Sequence, residues 1–381
     1  MEGKIAYMDG PGELSFREYP VPDDIEPGAV LLEVIQSNVC GSEIHIFGGH
    51  HPAIKTGGLG HEMVGRILEC GPGVTTDHAG QPVGPGDRVA PVYLVTCGHC
   101  QACGNGRAIH CDNKFKYWGN QDVAPHFHGA TFATHYYIHP DQQFFKVPDA
   151  VPDGPAASAN CALSQVLYGL DTIGVGAGDK VVIQGAGGLG LNSTAVAKDK
   201  GADVAIIDSV PARLDLAREF GADHVIDLNQ YPTPETRIER VTELFDGVGA
   251  DVAVEVTGVP DAVNEGPQMV RIGGAYAVIG TILPGMKTSF DPGVLVRRAV
   301  TMRGFNHYPP HYLHKALRML ARTQDRFPFD KLLDRSFPLD QAKAAITHSS
   351  ERFSPSDSMT SLVRASSSTV RTKGTMTHRF L

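Results

Sequence analysis

The amino-acid sequence predicts an α/β protein of two domains, an irregular β-rich domain first and a doubly wound parallel sheet second. Its 381 residues exceed the ~100–200 typical of one domain and leave room for a sizeable core. A proline-rich break, VPDAVPDGPAA at 147–157, separates two textures. Before it, short β-rich runs are punctuated by Gly and Pro; after it, apolar β-branched runs alternate with stretches of helical length.

In the first domain, runs such as AVLLEVIQS (29–37) and MVGRILEC (63–70) are bounded by turn signals such as GPG and GPGDRV, the mark of a mostly antiparallel sheet. Beyond the break, KVVIQ, DVAII, DHVID, DVAVEV, AYAVIG and TMRG read as strands buried on both faces, each reached through a crossover. HYLHKALRMLAR (311–322) has the spacing of an amphipathic helix, and FPFDKLLDRSFPLDQAKAAITHS returns toward the first domain. The last 31 residues hold 12 Ser or Thr and five Lys or Arg against two Asp or Glu, so they are expected to be a flexible tail. The expected division is 1–153, 154–300, a return over 301–350, and a tail over 351–381, with no internal repeat.

Composition removes several function classes. A net charge of −9 offers no basic surface to phosphates, and 7% aromatics leave little for base stacking, so nucleic acid is not an expected partner. No stretch of ~18 apolar residues suggests a membrane span. The opening MEGKIAYMDGPGELSF lacks the charged start and apolar run of a secretory signal, so a cytoplasmic location is expected. Four of the seven cysteines fall between Cys97 and Cys111, which in a reducing compartment points to metal rather than disulfides.

Three motifs carry chemistry. Cys97, Cys100 and Cys103, with Cys111 after seven more residues, can wrap one Zn²⁺ tetrahedrally with no position left open, so the site is structural. Gly185-Ala186-Gly187-Gly188-Leu189-Gly190 follows a strand and precedes a helix. Gly185 suits the tight turn, Gly187 a close approach to pyrophosphate, and Gly190 the packing of helix on strand. Asp208 ends the next strand, 23 residues after Gly185, where its carboxylate can accept from ribose hydroxyls and would repel a 2′-phosphate. The third motif is dispersed: Cys40, Ser42, Glu43 and His45, then His61 and Glu62, and finally Cys161. Two thiolates and an imidazole leave one Zn²⁺ position open for substrate.

At these motifs the sequence closely resembles the zinc-containing, medium-chain alcohol dehydrogenase family over about residues 1–350. The resemblance implies a GroES-like catalytic domain, a Rossmann domain, and an active site in the cleft between them. It implies two zinc ions per chain: a catalytic one on Cys40, His61 and Cys161, and a structural one on Cys97, Cys100, Cys103 and Cys111. Ser42 matches the residue that bonds the substrate hydroxyl, His45 the end of the proton relay, and Glu62 a glutamate near the metal. Glu43 stands where the family more often has Asp beside the ligand histidine. Gly185, Gly187, Gly188, Leu189, Gly190, Asp208 and Arg213 match the cofactor site, with NAD expected. Tyr93 and Trp118 match walls of the substrate pocket. Cys70 has no ligand role in this scheme, and the Ser-rich C-terminus departs from the β-rich closing segment of the family.

The expected reaction is interconversion of an alcohol, secondary and cyclic alcohols included, and its carbonyl, by a homodimer or homotetramer. A polyol dehydrogenase of the same fold is the alternative, and Cys161 favours the alcohol type. A non-enzymatic zinc-binding interaction protein would leave Cys40, His61, Cys161 and the glycine turn unexplained. His126, His128, His135 and His139 invite a third metal site, but alternating histidines beside aromatics more often line a strand or cleft.

Overall fold

The computed structural model describes residues 1–118, 121–280, 285–351 and 367–371. The N-terminal part contains β1 (Glu2–Gly10), β2 (Glu13–Pro20), β3 (Val30–Asn38), β4 (Gly57–Gly58), β5 (Glu62–Cys70), β6 (Arg88–Pro91), β7 (His135–Ile138) and β8 (Phe144–Lys146). β2, β1 and β4 form a small antiparallel sheet. β3 is the spine of the larger sheet, pairing antiparallel with both β5 and β7, while β6 joins β5 to β8. Cys70 ends β5 as a half-buried thiol that, among the described residues, lies outside both groups of metal-type ligands.

The second domain holds β9 (Lys180–Gln184), β10 (Asp203–Asp208), β11 (His224–Asp227), β12 (Ala250–Glu255), β13 (Val270–Val278) and β14 (Thr301–Gly304). All are parallel, in the order β11-β10-β9-β12-β13-β14. Alternate residues enter opposite cores: Val181, Ile183, Val204, Ile206, Val252 and Val254 on one face, Val182, Ala205, Ile207 and Ala253 on the other. Burial on both faces is why these strands read as unbroken apolar runs. β14 completes this sheet, so the return to the first domain starts after Gly304 rather than at 301.

The returning helix His311–Thr323 buries Leu313, Ala316, Leu317, Met319 and Leu320 in a core shared by both domains. The helix Ala342–Glu351 packs Ala345 and Ile346 against Ile46 and Phe47. The C-terminal expectation needs correction. β15 (Leu333–Pro338) is followed by β16 (Ser367–Arg371), which lies between β15 and β3 in the large sheet. Thr369 stands opposite Asn38 and Arg371 opposite Gln36. A segment expected to be a tail therefore supplies a strand, because backbone pairing with β3 asks little of side-chain composition.

No helix among the described residues is long and apolar enough to cross a membrane. The histidine-rich stretch forms a packed wall: the His128 and His139 rings are 5.1 Å apart, and Tyr117 stacks on His139 at 3.6 Å. Burial, then His139, holds His128 down to about 4. Among the described residues neither group of clustered metal-type ligands includes these histidines.

Candidate active site

Cys40 is the N-cap of the helix Gly41–Phe47, at the end of the link from β3. The Glu43 Oε2 accepts from the Cys40 N–H at 2.9 Å, closing a capping box. The other oxygen, Oε1, lies 2.5 Å from His61 Nδ1. The longer side chain that replaces the expected Asp thus spans two jobs, capping the helix and orienting the imidazole. With Nδ1 committed to Glu43, Nε2 is the atom left for a metal.

His61 enters through Gly60, whose φ of +91° and whose contact with Thr131 leave no room for a Cβ. Cys161 lies in a π-helical turn, Ala159–Leu163, between the helices Asp153–Ser158 and Ser164–Ile173. Such turns often mark functional positions. Asn160 anchors this one by donating to the carbonyls of His61 and Pro91, both at 3.1 Å.

Cys40, His61, Glu62 and Cys161 bring their ligand atoms within 4.8 Å of one another. The two sulfurs are 3.9 Å apart, and His61 Nε2 is 3.2 Å from the Cys161 sulfur. Zn–S bonds of ~2.3 Å in a tetrahedron require edges of ~3.8 Å, so the spacing fits zinc. The contact with Cys161 holds the Cys40 thiol well below its usual range and pushes Cys161 up. Burial, then Cys40, pushes the Glu62 carboxyl well up, and Glu62 Oε2 has no partner among the described residues. A cation there would satisfy all three.

Two further polar side chains project from the Cys40 helix. Ser42 Oγ is buried without a hydrogen-bond partner among the described residues. His45 is half-buried, its ring 6.2 Å from that of the exposed His50. Burial and then His50 lower its proton affinity.

Cys97, Cys100, Cys103 and Cys111 form the second compact group. Cys97 and Cys111 sulfurs are 3.6 Å apart, and the N–H groups of Cys97 and Asn113 both donate to Cys111 Sγ at 3.4 Å. The Asn113 contact, followed by the His99 backbone, lowers the Cys97 thiol to about 6. N–H donors aimed at sulfur suit thiolates, and four of them fit a closed zinc site.

In the glycine turn the backbone bends sharply and the chain packs closely on itself. Gly185 has φ +104°, and a Cβ on Gly190 would lie 1.8 Å from the Gly185 carbonyl oxygen, so helix and turn touch. Cβ atoms at Gly187 and Gly188 would meet open space at the N-terminus of the helix Gly188–Asp199. That cradle suits a pyrophosphate. Leu189 lies in its first turn, packed against the main core. Asp208 accepts from the Ala186 N–H at 2.7 Å and the Val210 N–H at 2.9 Å, tying β10 to the turn. Arg213 Nη1 stands 3.8 Å from it. Val210, not Asp208, is the N-cap of the following helix.

Residues 26–149 match the family model described as an alcohol dehydrogenase GroES-like domain, and residues 188–322 match that of a zinc-binding dehydrogenase. The chain is 35% identical over 332 residues to a 5-exo-hydroxycamphor dehydrogenase of Pseudomonas putida, covering 86% of this chain and 90% of that one. The chain belongs to the zinc-binding, medium-chain alcohol dehydrogenase family. A sorbitol dehydrogenase of Halalkalibacterium halodurans is 32% identical, with 84% and 88% covered. An alcohol dehydrogenase structure from Thermotoga maritima superposes with a TM-score of 0.87 at 27% identity, over 98% of this chain and 100% of that one. This dehydrogenase is therefore a zinc-dependent oxidoreductase that uses a nicotinamide cofactor.

Around the open cluster the dehydrogenase places an aromatic box. Tyr93 lies 4.9 Å from the His61 ring and Trp118 6.1 Å. Phe115 packs on Trp118. Sequence reasoning missed two members from the returning segment. Tyr308 packs on Tyr93 and donates to the Asn160 carbonyl. His307, at φ +67°, bonds the Tyr93 hydroxyl through Nδ1 at 2.9 Å. Burial, then Lys114, pushes His307 down to about 3, so it stays neutral. Nothing in the local sequence marks either residue, because their role comes from the chain crossing back over the first domain.

Proposed function

We propose that this chain oxidises secondary or cyclic alcohols with NAD, holding a catalytic zinc on Cys40, His61 and Cys161 and a structural zinc on Cys97, Cys100, Cys103 and Cys111. The buried Ser42 hydroxyl, unpartnered among the described residues and two positions after Cys40 in the helix that Cys40 caps, carries this reading. When bound, zinc on these ligands would supply Lewis acidity to the substrate oxygen and nicotinamide would serve as the hydride acceptor. Ser42 would accept a hydrogen bond from the substrate hydroxyl and, as that proton moves to it, pass its own on, with His45, half-buried beside the exposed His50, as the route toward water. Glu62 stands by as a carboxylate able to approach the metal. Ser42 lacks the methyl that Thr would place against the reacting carbon, and Tyr93, Trp118, Phe115 and Tyr308 offer flat apolar walls. The relative that acts on hydroxycamphor supports a cyclic substrate.

Asp208 favours NAD because a 2′-phosphate would meet its carboxylate, and Arg213 3.8 Å away belongs to the same cofactor edge. We assign the chain to the cytoplasm, where its clustered cysteines stay reduced. A homodimer or homotetramer is supported by Ile272 and Val296, which stand exposed on β13 and on the helix before β14, the edge of the parallel sheet. Measuring kcat/KM for ethanol, 2-butanol and cyclohexanol with NAD and with NADP tests the whole reading. Higher values for the secondary alcohols with NAD are expected; a preference for ethanol, or equal use of NADP, overturns the corresponding part.

A further inference from the structure

The parallel sheet reverses its order of assembly between β9 and β12, which places the cofactor crevice at the ends of these strands. The glycine turn after β9 and Asp208 after β10 occupy one side of it. The nicotinamide half must then lie over the ends of β12 and β13. A fully buried carboxylate holds those two ends together. Glu255, the last residue of β12, accepts through Oε1 from the Thr257 N–H at 2.7 Å, the Thr257 hydroxyl at 2.9 Å and the Gly258 N–H at 2.7 Å. Through Oε2 it accepts from the Gly280 N–H at 3.1 Å, across on the β13 side.

These four partners all donate, which suits an acceptor-only carboxylate and no neutral replacement. The backbones it joins are in contact. A Cβ on Gly280 would sit 2.6 Å from the Val256 carbonyl carbon and 2.7 Å from the Gly258 nitrogen, and Gly258 itself has φ +76°. Thr257 in turn touches the glycine turn, since its Cγ2 lies 2.9 Å from where a Cβ on Gly185 would be. One carboxylate thus bridges two backbone segments, the ends of β12 and β13, that face the same crevice.

We propose that Glu255 is a positioning residue for the nicotinamide end of the cofactor, acting through Thr257, Gly258 and Gly280. It touches no substrate atom itself. The inference rests on the nicotinamide reading of this crevice and goes beyond it by dividing the cofactor into a half that depends on Glu255 and a half that does not. The adenosine half lies on the side of the glycine turn and Asp208, whereas the hydrogen bonds of the Glu255 carboxylate described above run to Thr257, Gly258 and Gly280.

The test uses the zinc-loaded, full-length protein and two ligands. NADH, or NADPH if that binds more tightly, is titrated by its fluorescence; ADP-ribose, which lacks nicotinamide, is titrated by calorimetry. Glu255→Gln sets an NH₂ group against a backbone N–H, and losing a charged hydrogen-bond acceptor should weaken the reduced cofactor about tenfold or more while ADP-ribose stays within about twofold. Thr257→Val removes one donor only and should give a smaller loss of the same selectivity, about threefold. This milder variant decides the matter if Glu255→Gln does not fold. Equal weakening of both ligands would reduce Glu255 to a support of the sheet, and unchanged cofactor affinity would overturn the proposal outright. A wild type that binds ADP-ribose but neither reduced cofactor would instead overturn the nicotinamide reading, and this inference with it.

Discussion

Cys97, Cys100, Cys103 and Cys111 come from fifteen consecutive residues, whereas Cys40 and Cys161 meet across 121 positions, with His61 arriving between them from a bend before β5. The first group is a lobe of short turns, three of its four cysteines partly exposed. The second is assembled by a helix N-cap, a glycine bend and a π turn, with His61, Glu62 and Cys161 buried. Each group can accept the same ion, yet the lobe offers four like thiols, while the second set mixes two thiols with an imidazole and a carboxylate. The same ligand chemistry is therefore reached in one place by a local run of chain and in the other by residues brought together from distant positions.

Replacing Cys161 with Ala should separate the two most sharply. Turnover should fall by roughly three orders of magnitude or more, since several kcal/mol of charge stabilisation is lost, while circular dichroism and one tightly held zinc persist. Near-normal turnover would remove the open cluster from the catalytic role. Cys103→Ala should do the reverse, lowering the melting temperature by roughly 5–10 °C with a smaller loss of kcat, because the metal there contributes folding free energy. If that variant melted like the wild type but lost activity, the lobe would not be structural.

Ending the chain at Ser350 removes β16 and leaves the Gln36–Asn38 end of β3, which leads into Cys40, paired on one edge only, with β5. Loss of this pairing should lower the melting temperature by several degrees and loosen zinc at the open cluster, leaving the lobe metal in place. Retention of both zincs and full stability would show that β16 is dispensable. The mildest change is Glu43→Gln, which keeps the capping geometry but weakens the acceptor on His61 Nδ1. Competition with a chelator should show a ~10–100-fold weaker open site and an unchanged lobe. Equal metal loss from both would mean that the substitution acts through folding.

Legibility followed the range of the interactions. The lobe and the glycine turn were readable because their function is held in consecutive residues: Gly185 and Gly190 meet each other within one turn, and four cysteines reach one point without help from the rest of the fold. Cys40, His61 and Cys161 were individually mute, since a lone buried Cys or His is ordinary core, and only the family resemblance linked them. His307 and Tyr308 carried no signal, and neither did Glu255, whose partners are mostly backbone N–H groups that any sequence supplies.

The C-terminus shows the opposite failure. Its Ser-rich composition argued against order, yet Ser367–Arg371 pairs with both β15 and β3. Composition measures how much apolar surface a segment can bury; it does not report an open backbone edge waiting elsewhere in the fold. By itself the sequence determined what is encoded by periodicity and close spacing: two domains, parallel strands buried on both faces, a closed cysteine lobe, and a phosphate cradle. Only the tertiary structure decided how Glu43 divides itself between Cys40 and His61, which aromatic residues wall the open cluster, and how one carboxylate ties β12 to β13. Those outcomes depend on distances of a few ångströms between residues separated in the chain, and such distances exist only once the elements that carry them have packed together.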